Sequence, residues 1–459
     1  MISQTVAGPS VHRSGRPSIL VVTRPLIWIG VATAVLAAVL VGLAAVRAPQ
    51  MSPFDEWTHA DYAWRLAHGQ VPEAGTPVAP EVLQELACRG VAGYVPRLAP
   101  CGQIDPDPAA FPSRGEDYNF SHPPLYYGVT GGLARLADAV VPGPHFFVLA
   151  RLVGVLWLWA AMLVLFLALR AFDVPQKYAV LGTVLLPLFP GVLRACSTVN
   201  NDAAAPLAGA LALLVFARFV GQHRLGWVFP TVSALLIVAT KVINVLPLLI
   251  VAVALGVLAV SKWRSEDRTM ARHMVLAVAG IGAAFLVVYE GWALFQAGRG
   301  DPNWVNPVAG VSDRPMIGSP FGELVSTLLK GMSPESDYFL PMSINGGLLV
   351  LWGRALDVAI VAAPLMALTA WARRSTAWLI GAITLAGLVA YPLVVEFQVY
   401  MSTGHYFPSV NPRYGLSMEP LALACVIMVA WKRGALRLLA MGTLAGGLAV
   451  LATVGGLVA

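Results

Sequence analysis

Long apolar runs separated by short polar turns make up most of this chain, and two of the polar intervals are far longer than turns. Runs near 27–46, 146–169, 178–193, 203–220, 226–240, 243–260, 274–297, 347–370, 376–396, 415–431 and 437–458 approach the length and apolarity of a bilayer-crossing helix. Another run, 123–141, carries Arg135 and Asp138, each costing about 2.5–3.5 kcal/mol at mid-bilayer, so it is expected to be interfacial or half inserted. The pattern predicts an all-α integral membrane bundle of roughly eleven transmembrane helices, with a large first extracytoplasmic loop carrying short interfacial helices.

Basic residues orient that bundle. Arg13, Arg16 and Arg24 precede the first run, and Arg170/Lys177, Arg218/Arg224, Lys262/Arg264/Arg268, Arg373/Arg374 and Lys432/Arg433 mark turns that belong in the cytoplasm. The expected order is a basic cytoplasmic tail (1–25), a first transmembrane helix (26–47), an extracytoplasmic loop with interfacial helices (48–145), transmembrane helices (146–298), a second large extracytoplasmic loop (299–346) and C-terminal transmembrane helices (347–459). This is a multi-pass plasma-membrane protein with its N-terminus inside, its C-terminus outside and its unusual polar residues on the outer face. The first apolar run lacks a convincing small-residue cleavage site and is read as a retained helix.

Composition agrees with this picture: the chain is 58% hydrophobic and 12% charged, and its mean hydropathy is +0.72. A net charge of +6 could point to nucleic acid, but the basic residues sit in short clusters between apolar runs. The partner implied is the bilayer, with no nucleic acid. Cys196 and Cys425 fall in apolar runs, whereas Cys88 and Cys101 share the first outer loop, either as a disulfide or as two thiols.

Chemistry concentrates just past the first helix, in Ser52-Pro53-Phe54-Asp55-Glu56-Trp57-Thr58-His59. Ser52-Pro53-Phe54-Asp55 reads as a capping box, with Ser52 at the N-cap and Asp55 at the third helical position. Spacing by four then puts Asp55 and His59 on one helical face, with Glu56 turned aside. Asp55 is thus a candidate general base or merely a cap, with Glu56 in reserve. Further on, Asn119-Phe120-Ser121-His122-Pro123-Pro124-Leu125-Tyr126-Tyr127 presents His122 at the outer boundary, as a site residue or within an aromatic interface anchor. The Asn200-Asn201-Asp202 turn offers a second acidic site or a helix cap.

An acidic pair after the first membrane helix, followed by His122-Pro-Pro-Leu-Tyr-Tyr, resembles the GT-C superfamily of membrane glycosyltransferases. Relatives there include the protein O-mannosyltransferases and the lipid A aminoarabinose transferases. The set Phe54-Asp55-Glu56-x-x-His59, His122-Pro-Pro, Asn200-Asn201-Asp202, Thr240-Lys241 and Arg413-Tyr414 looks like a bacterial branch of it, spanning about 50–420. The resemblance implies a GT-C-like bundle and transfer of a sugar, with inversion at the anomeric carbon, from a polyprenyl-phosphate donor to an extracytoplasmic envelope acceptor (glycan, lipid or protein). It makes Asp55 and Glu56 the catalytic candidates, and His59, His122, Asn201, Asp202, Lys241, His405, Arg413 and Tyr414 the substrate-binding ones.

The leaving phosphate of such a donor needs fixed cations near the membrane surface. Lys241 and Arg413 sit on the outer face against the positive-inside trend, so they are read as phosphate ligands or, more simply, interface anchors; Arg194 is a further candidate. Asp55, Glu56, His59 and Asp202 offer ligands for a divalent cation, but no repeated ligand motif is present, so no metal site is assigned. A transporter or flippase of a lipid-linked component is the rival reading. No matching internal halves support it, and neither do paired broken helices.

Overall fold

The computed structural model describes residues 24–93, 98–103, 105–141, 145–307, 347–403 and 410–455. Its α-helices are α1 (Arg24–Arg47), α2 (Glu56–Ala67), α3 (Pro80–Arg89), α4 (Leu125–Asp138), α5 (Phe146–Leu152), α6 (Gly154–Ala171), α7 (Gln176–Leu185) and α8 (Pro190–Ser197). They continue with α9 (Ala205–Val220), α10 (Val228–Thr240), α11 (Leu246–Arg264), α12 (Arg268–Gln296), α13 (Gly347–Ala370), α14 (Thr376–Thr403), α15 (Glu419–Lys432) and α16 (Leu436–Val454). Among the described residues there are isolated β-bridges and no strand. This is an all-α, multi-pass membrane protein.

Among the described residues 9 helices are long and apolar enough to cross a bilayer, or 10 if the pair Gln176–Leu188 and Pro190–Ser197 counts as one span. The roughly eleven spans expected from hydropathy are corrected to that number for two physical reasons. The pair is bent by 63° where Pro187 and Pro190 interrupt the hydrogen-bond ladder. The 13-residue α10 rises only about 20 Å, short of the 30 Å core. The 14-residue α4, carrying Arg135 and Asp138, is not among the spanning helices.

The spanning helices pack through small residues, since hydrocarbon gives apolar side chains no reason to leave it. Helix α1 buries Thr33, Ala37, Leu40, Val41 and Ala44 along one stripe and leaves Trp28 and Val46 outside. Two glycines set close approaches that position the site. A Cβ at Gly131 of α4 would stand 2.0 Å from the Ala63 carbonyl oxygen of α2, and one at Gly209 of α9 would stand 2.1 Å from that of Ser417.

Outside the bundle, α2, α3 and α4 form a cap over its end. The last turn of α12 and the chain after it are stitched to this cap: Asp301 N–H donates to the Ala74 carbonyl (3.0 Å), Gln296 Nε2 to the Phe120 carbonyl (3.0 Å) and Trp304 Nε1 to Glu116 Oε2 (2.7 Å). The described start of the second large loop therefore lies on the same face as the first.

Cys88 at the end of α3 is disulfide-bonded to Cys101, whereas Cys196 and Cys425 are buried thiols. Maleimide labelling in native, oxidised membranes is expected to modify no cysteine. Denaturation without reductant should expose two of the four cysteines, and added reductant all four. Four adducts before reduction would refute the bridge.

Candidate functional site

Everything at the site starts from how the chain leaves α1. Pro53 and Phe54 turn it, and Asp55 takes the left-handed conformation (φ 62°, ψ 19°) immediately before α2. Ser52 N–H donates to Glu56 Oε2 at 2.6 Å, so Glu56 makes the return contact expected of Asp55 in the capping-box reading. Asp55 is the N-cap residue rather than the third helical residue, so the helix starts three positions later than expected, and the Asp55 side chain makes no capping hydrogen bond. The expected capping role of Asp55 is overturned, because the helix begins at Glu56.

Glu56 is fully buried and accepts from Arg151 Nε (2.8 Å), Arg151 Nη2 (2.8 Å), Ser52 N–H (2.6 Å) and Val199 N–H (2.9 Å). Those bonds occupy the roughly four lone-pair positions of a carboxylate. Arg151, also buried, donates in addition to the carbonyls of Ala48 (2.5 Å) and Gln50 (2.8 Å) past the end of α1. Glu56 thus clamps α1, α5 and the turn after α8 together and faces no cleft.

The Asp55 carboxylate turns the other way. Its Oδ1 accepts from the Tyr118 hydroxyl at 2.7 Å and its Oδ2 from Arg413 Nη2 at 3.1 Å. The expected side-chain pairing of Asp55 with His59 does not form, because Asp55 precedes the helix. His59 is buried instead with its Nδ1 2.8 Å from the Tyr127 hydroxyl, stacked between Tyr127 and His122.

Arg413 begins the tight turn Pro412–Met418, where the Asn411 side chain accepts from its N–H at 3.1 Å. The close approach at Gly209 seats this turn on α9. The guanidinium spans two carboxylates: Nη2 reaches Asp55, and Nε lies 4.0 Å from Asp202 Oδ2. Asp202, capped at its N–H by Asn200 Oδ1 (2.9 Å), holds Lys241 Nζ at 2.5 Å. Lys241 is extended (φ −165°, ψ 127°) where the ladder breaks after α10, and its ammonium lies over the Tyr414 ring. Asp55, Arg413, Asp202 and Lys241 form a row of alternating charges contributed by four distant parts of the chain.

Beside this row lies a narrow cleft, lined by Ser52, Phe54, Arg194, Asn200, Asp202 and Arg413 among others. The Phe54 ring has the Arg194 guanidinium 4.1 Å from its centroid and that of Arg413 5.6 Å away. Arg194 Nη2 donates to Ser52 Oγ at 2.6 Å. Two cations against one carboxylate make the cleft suited to an anion. Lys241 is not among its lining residues and pairs with Asp202, whereas Arg194 lines it.

The structure therefore brings together Asp55, His59, His122, Asp202, Lys241, Arg413 and Tyr414. Asn201 adjoins them, fully buried, its amide without a hydrogen-bond partner among the described residues. His405 lies outside the described residues. Sequence reasoning does not single out Tyr118 and Arg151, although Arg151 is an arginine near the start of a span at the same end of the bundle as Arg413. Among the described residues no three His, Cys, Asp or Glu side chains are grouped to hold a metal ion. The set Asp55, Glu56 and His59 does not fit a divalent cation, since Glu56 turns to Arg151 and His59 to Tyr127.

Among solved structures the chain is similar to ArnT from Cupriavidus metallidurans. The crystal structure bound to undecaprenyl phosphate matches at TM-score 0.37 and 16% identity, over 89% of this chain and 78% of that one. The apo crystal structure matches at TM-score 0.35 and 16% identity, over 90% and 79%. No protein-family model matches the chain, and no curated protein does. At such identity and score the likeness transfers no activity.

Two stability measurements follow from this geometry. Glu56→Ala leaves Arg151 buried without its partner and should cost about 3–5 kcal/mol by thermal melting. Asp55→Asn should cost less than about 1 kcal/mol, because the Asp55–Arg413 pair is partly exposed and asparagine tolerates the left-handed region. Equal losses in the two variants would contradict the division of labour.

The two histidines give a pH dependence. Burial, then the His122, Lys241 and Arg413 charges, hold His59 well below its ordinary value; burial and Lys241 lower His122 from 6.5 to about 3, with Asp202 opposing. Both are neutral at pH 7 in the folded protein. As the pH falls below 6.5 the unfolded chain takes up protons that the folded protein refuses, so stability declines from there toward about 3. His122→Gln should flatten the fall in melting temperature between pH 6.5 and 5; an unchanged slope would assign it to other groups.

Proposed function

We propose that the protein is an integral-membrane glycosyltransferase that moves a sugar from a polyprenyl-phosphate donor to an extracytoplasmic envelope acceptor, with inversion at the anomeric carbon. The observation that carries this reading is the Asp55 carboxylate, freed from capping and bonded to Arg413, which together with Arg194 lines the adjoining cleft. A base beside an anion-binding cleft, at the membrane-proximal end of a helical bundle, suits attack by a hydroxyl on a lipid-phosphate sugar. The motif resemblance to GT-C enzymes supports the same assignment. In this reading the N-terminus is cytoplasmic and the site faces outward, where the Cys88–Cys101 disulfide is at home.

In the reaction, the acceptor hydroxyl oxygen bonds to the anomeric carbon while the bond from that carbon to the phosphate oxygen breaks. The hydroxyl proton passes to Asp55 and the bonding electron pair leaves on the polyprenyl phosphate. Arg194 and Arg413 hold that phosphate as its charge grows, and Lys241 acts through Asp202 rather than on the donor. Arg413 donates to Asp55 Oδ2, and a donor phosphate would compete for the same guanidinium and release the base. His122, neutral and half-buried, and the Tyr414 ring shape the acceptor side.

Membranes supplied with lipid-linked sugars provide the test. Asp55→Asn should lower transfer about 10²–10⁴-fold while leaving donor binding intact, and Arg194→Gln should raise the donor KM. Unchanged transfer by Asp55→Asn would remove Asp55 from the mechanism.

One observation favours the transporter reading: Asp357, Glu396 and Glu419 are buried within spanning helices, where ionisable groups are costly. Lipid scrambling or uptake without any sugar transfer would decide for it.

A further inference from the structure

At the opposite end of the bundle lies a larger cleft of about 1250 Å³. Helices α9, α11 and α15 run from the candidate site to this end, 14–19 residues or about 21–28 Å away. Lys262 near the end of α11, Arg374 in the turn before α14 and Lys432 at the end of α15 meet at its rim, with His223 beside them. Among the described residues no carboxylate lines it. Below the rim the walls are apolar, including Leu258 and Leu379.

The positive-inside tendency accounts for cations at this end but not for their gathering around one concave, apolar-walled space. Arg374 is held at this space by its own contact. It occupies a left-handed position (φ 69°), as His223 at the same rim does (φ 51°). It donates to Ser261 Oγ at 3.3 Å, which aims it across the cleft toward α11. Asp267 pairs with Lys262 at 3.3 Å, but both side chains are more than a third exposed and the pair is weak.

We infer that this cleft binds the phosphate headgroup of an anionic membrane lipid, with the three cations on the phosphate and an acyl chain along the apolar wall. The site is separate from the transfer chemistry at the other face and does not depend on it. Basic pockets between transmembrane helices recognise such headgroups by charge, and the apolar wall distinguishes a lipid from free phosphate.

The test uses the full chain purified in detergent, with melting temperature and native mass spectrometry as readouts. Phosphatidylglycerol should raise the melting temperature and remain bound in the mass spectrum, whereas phosphatidylcholine and inorganic phosphate should do neither. The double variant Arg374→Gly, Lys432→Gln should lose phosphatidylglycerol affinity by about tenfold or more. Its lipid-free melting temperature should not fall, because glycine relieves the left-handed backbone. Lys262→Gln alone serves as a second variant with a smaller loss. Equal retention of phosphatidylcholine, an equal shift with inorganic phosphate, or unchanged phosphatidylglycerol affinity in the double variant would each overturn the inference.

Discussion

The buried ion pair of Glu56 and Arg151 is the constraint on which the outer face depends. A bidentate carboxylate–guanidinium contact removed from water is costly unless every remaining donor and acceptor finds a partner. Here the partners are the carbonyls past the end of α1, Ser52 N–H and Val199 N–H, so satisfying the pair also fixes how three chain segments meet. With Glu56 committed inward, the residue before it faces outward. The geometry of Asp55 follows from the burial of its neighbour.

Around Asp55 the charges alternate and nearly cancel, as a site below the membrane surface requires. Asp202 sits between Arg413 and Lys241, and each cation also faces the ring of Tyr414. Arg194 lies beside this row, against Phe54, and tips the local balance positive. A cleft with that surplus attracts an anion without carrying an uncompensated row of like charges.

Much of this was legible in the chain. The apolar runs place nearly every helix, and charged residues on the wrong side of the positive-inside pattern pointed to Lys241 and Arg413. The failures have a common cause. Periodicity assigns residues to helix faces only once the helix start is known, and a start three positions later than expected, at Glu56 instead of Pro53, gave Glu56 the contact expected of Asp55. Partnerships across long separations, such as Arg151 with Glu56 or Tyr118 with Asp55, leave no local pattern to read. Hydropathy likewise registered the run 226–240 as a span, although the helix it forms, α10, has only 13 residues.

That break has a consequence for the lipid. A helix of about 20 Å in a hydrocarbon layer of about 30 Å leaves roughly a third of the thickness unspanned at one point on the perimeter. Headgroups and water can settle into such a dent. A lipid anchored there would keep its tail in hydrocarbon while its headgroup met the protein below the plane of neighbouring headgroups. It would not have to be lifted from the bilayer; the bilayer would come down to the protein.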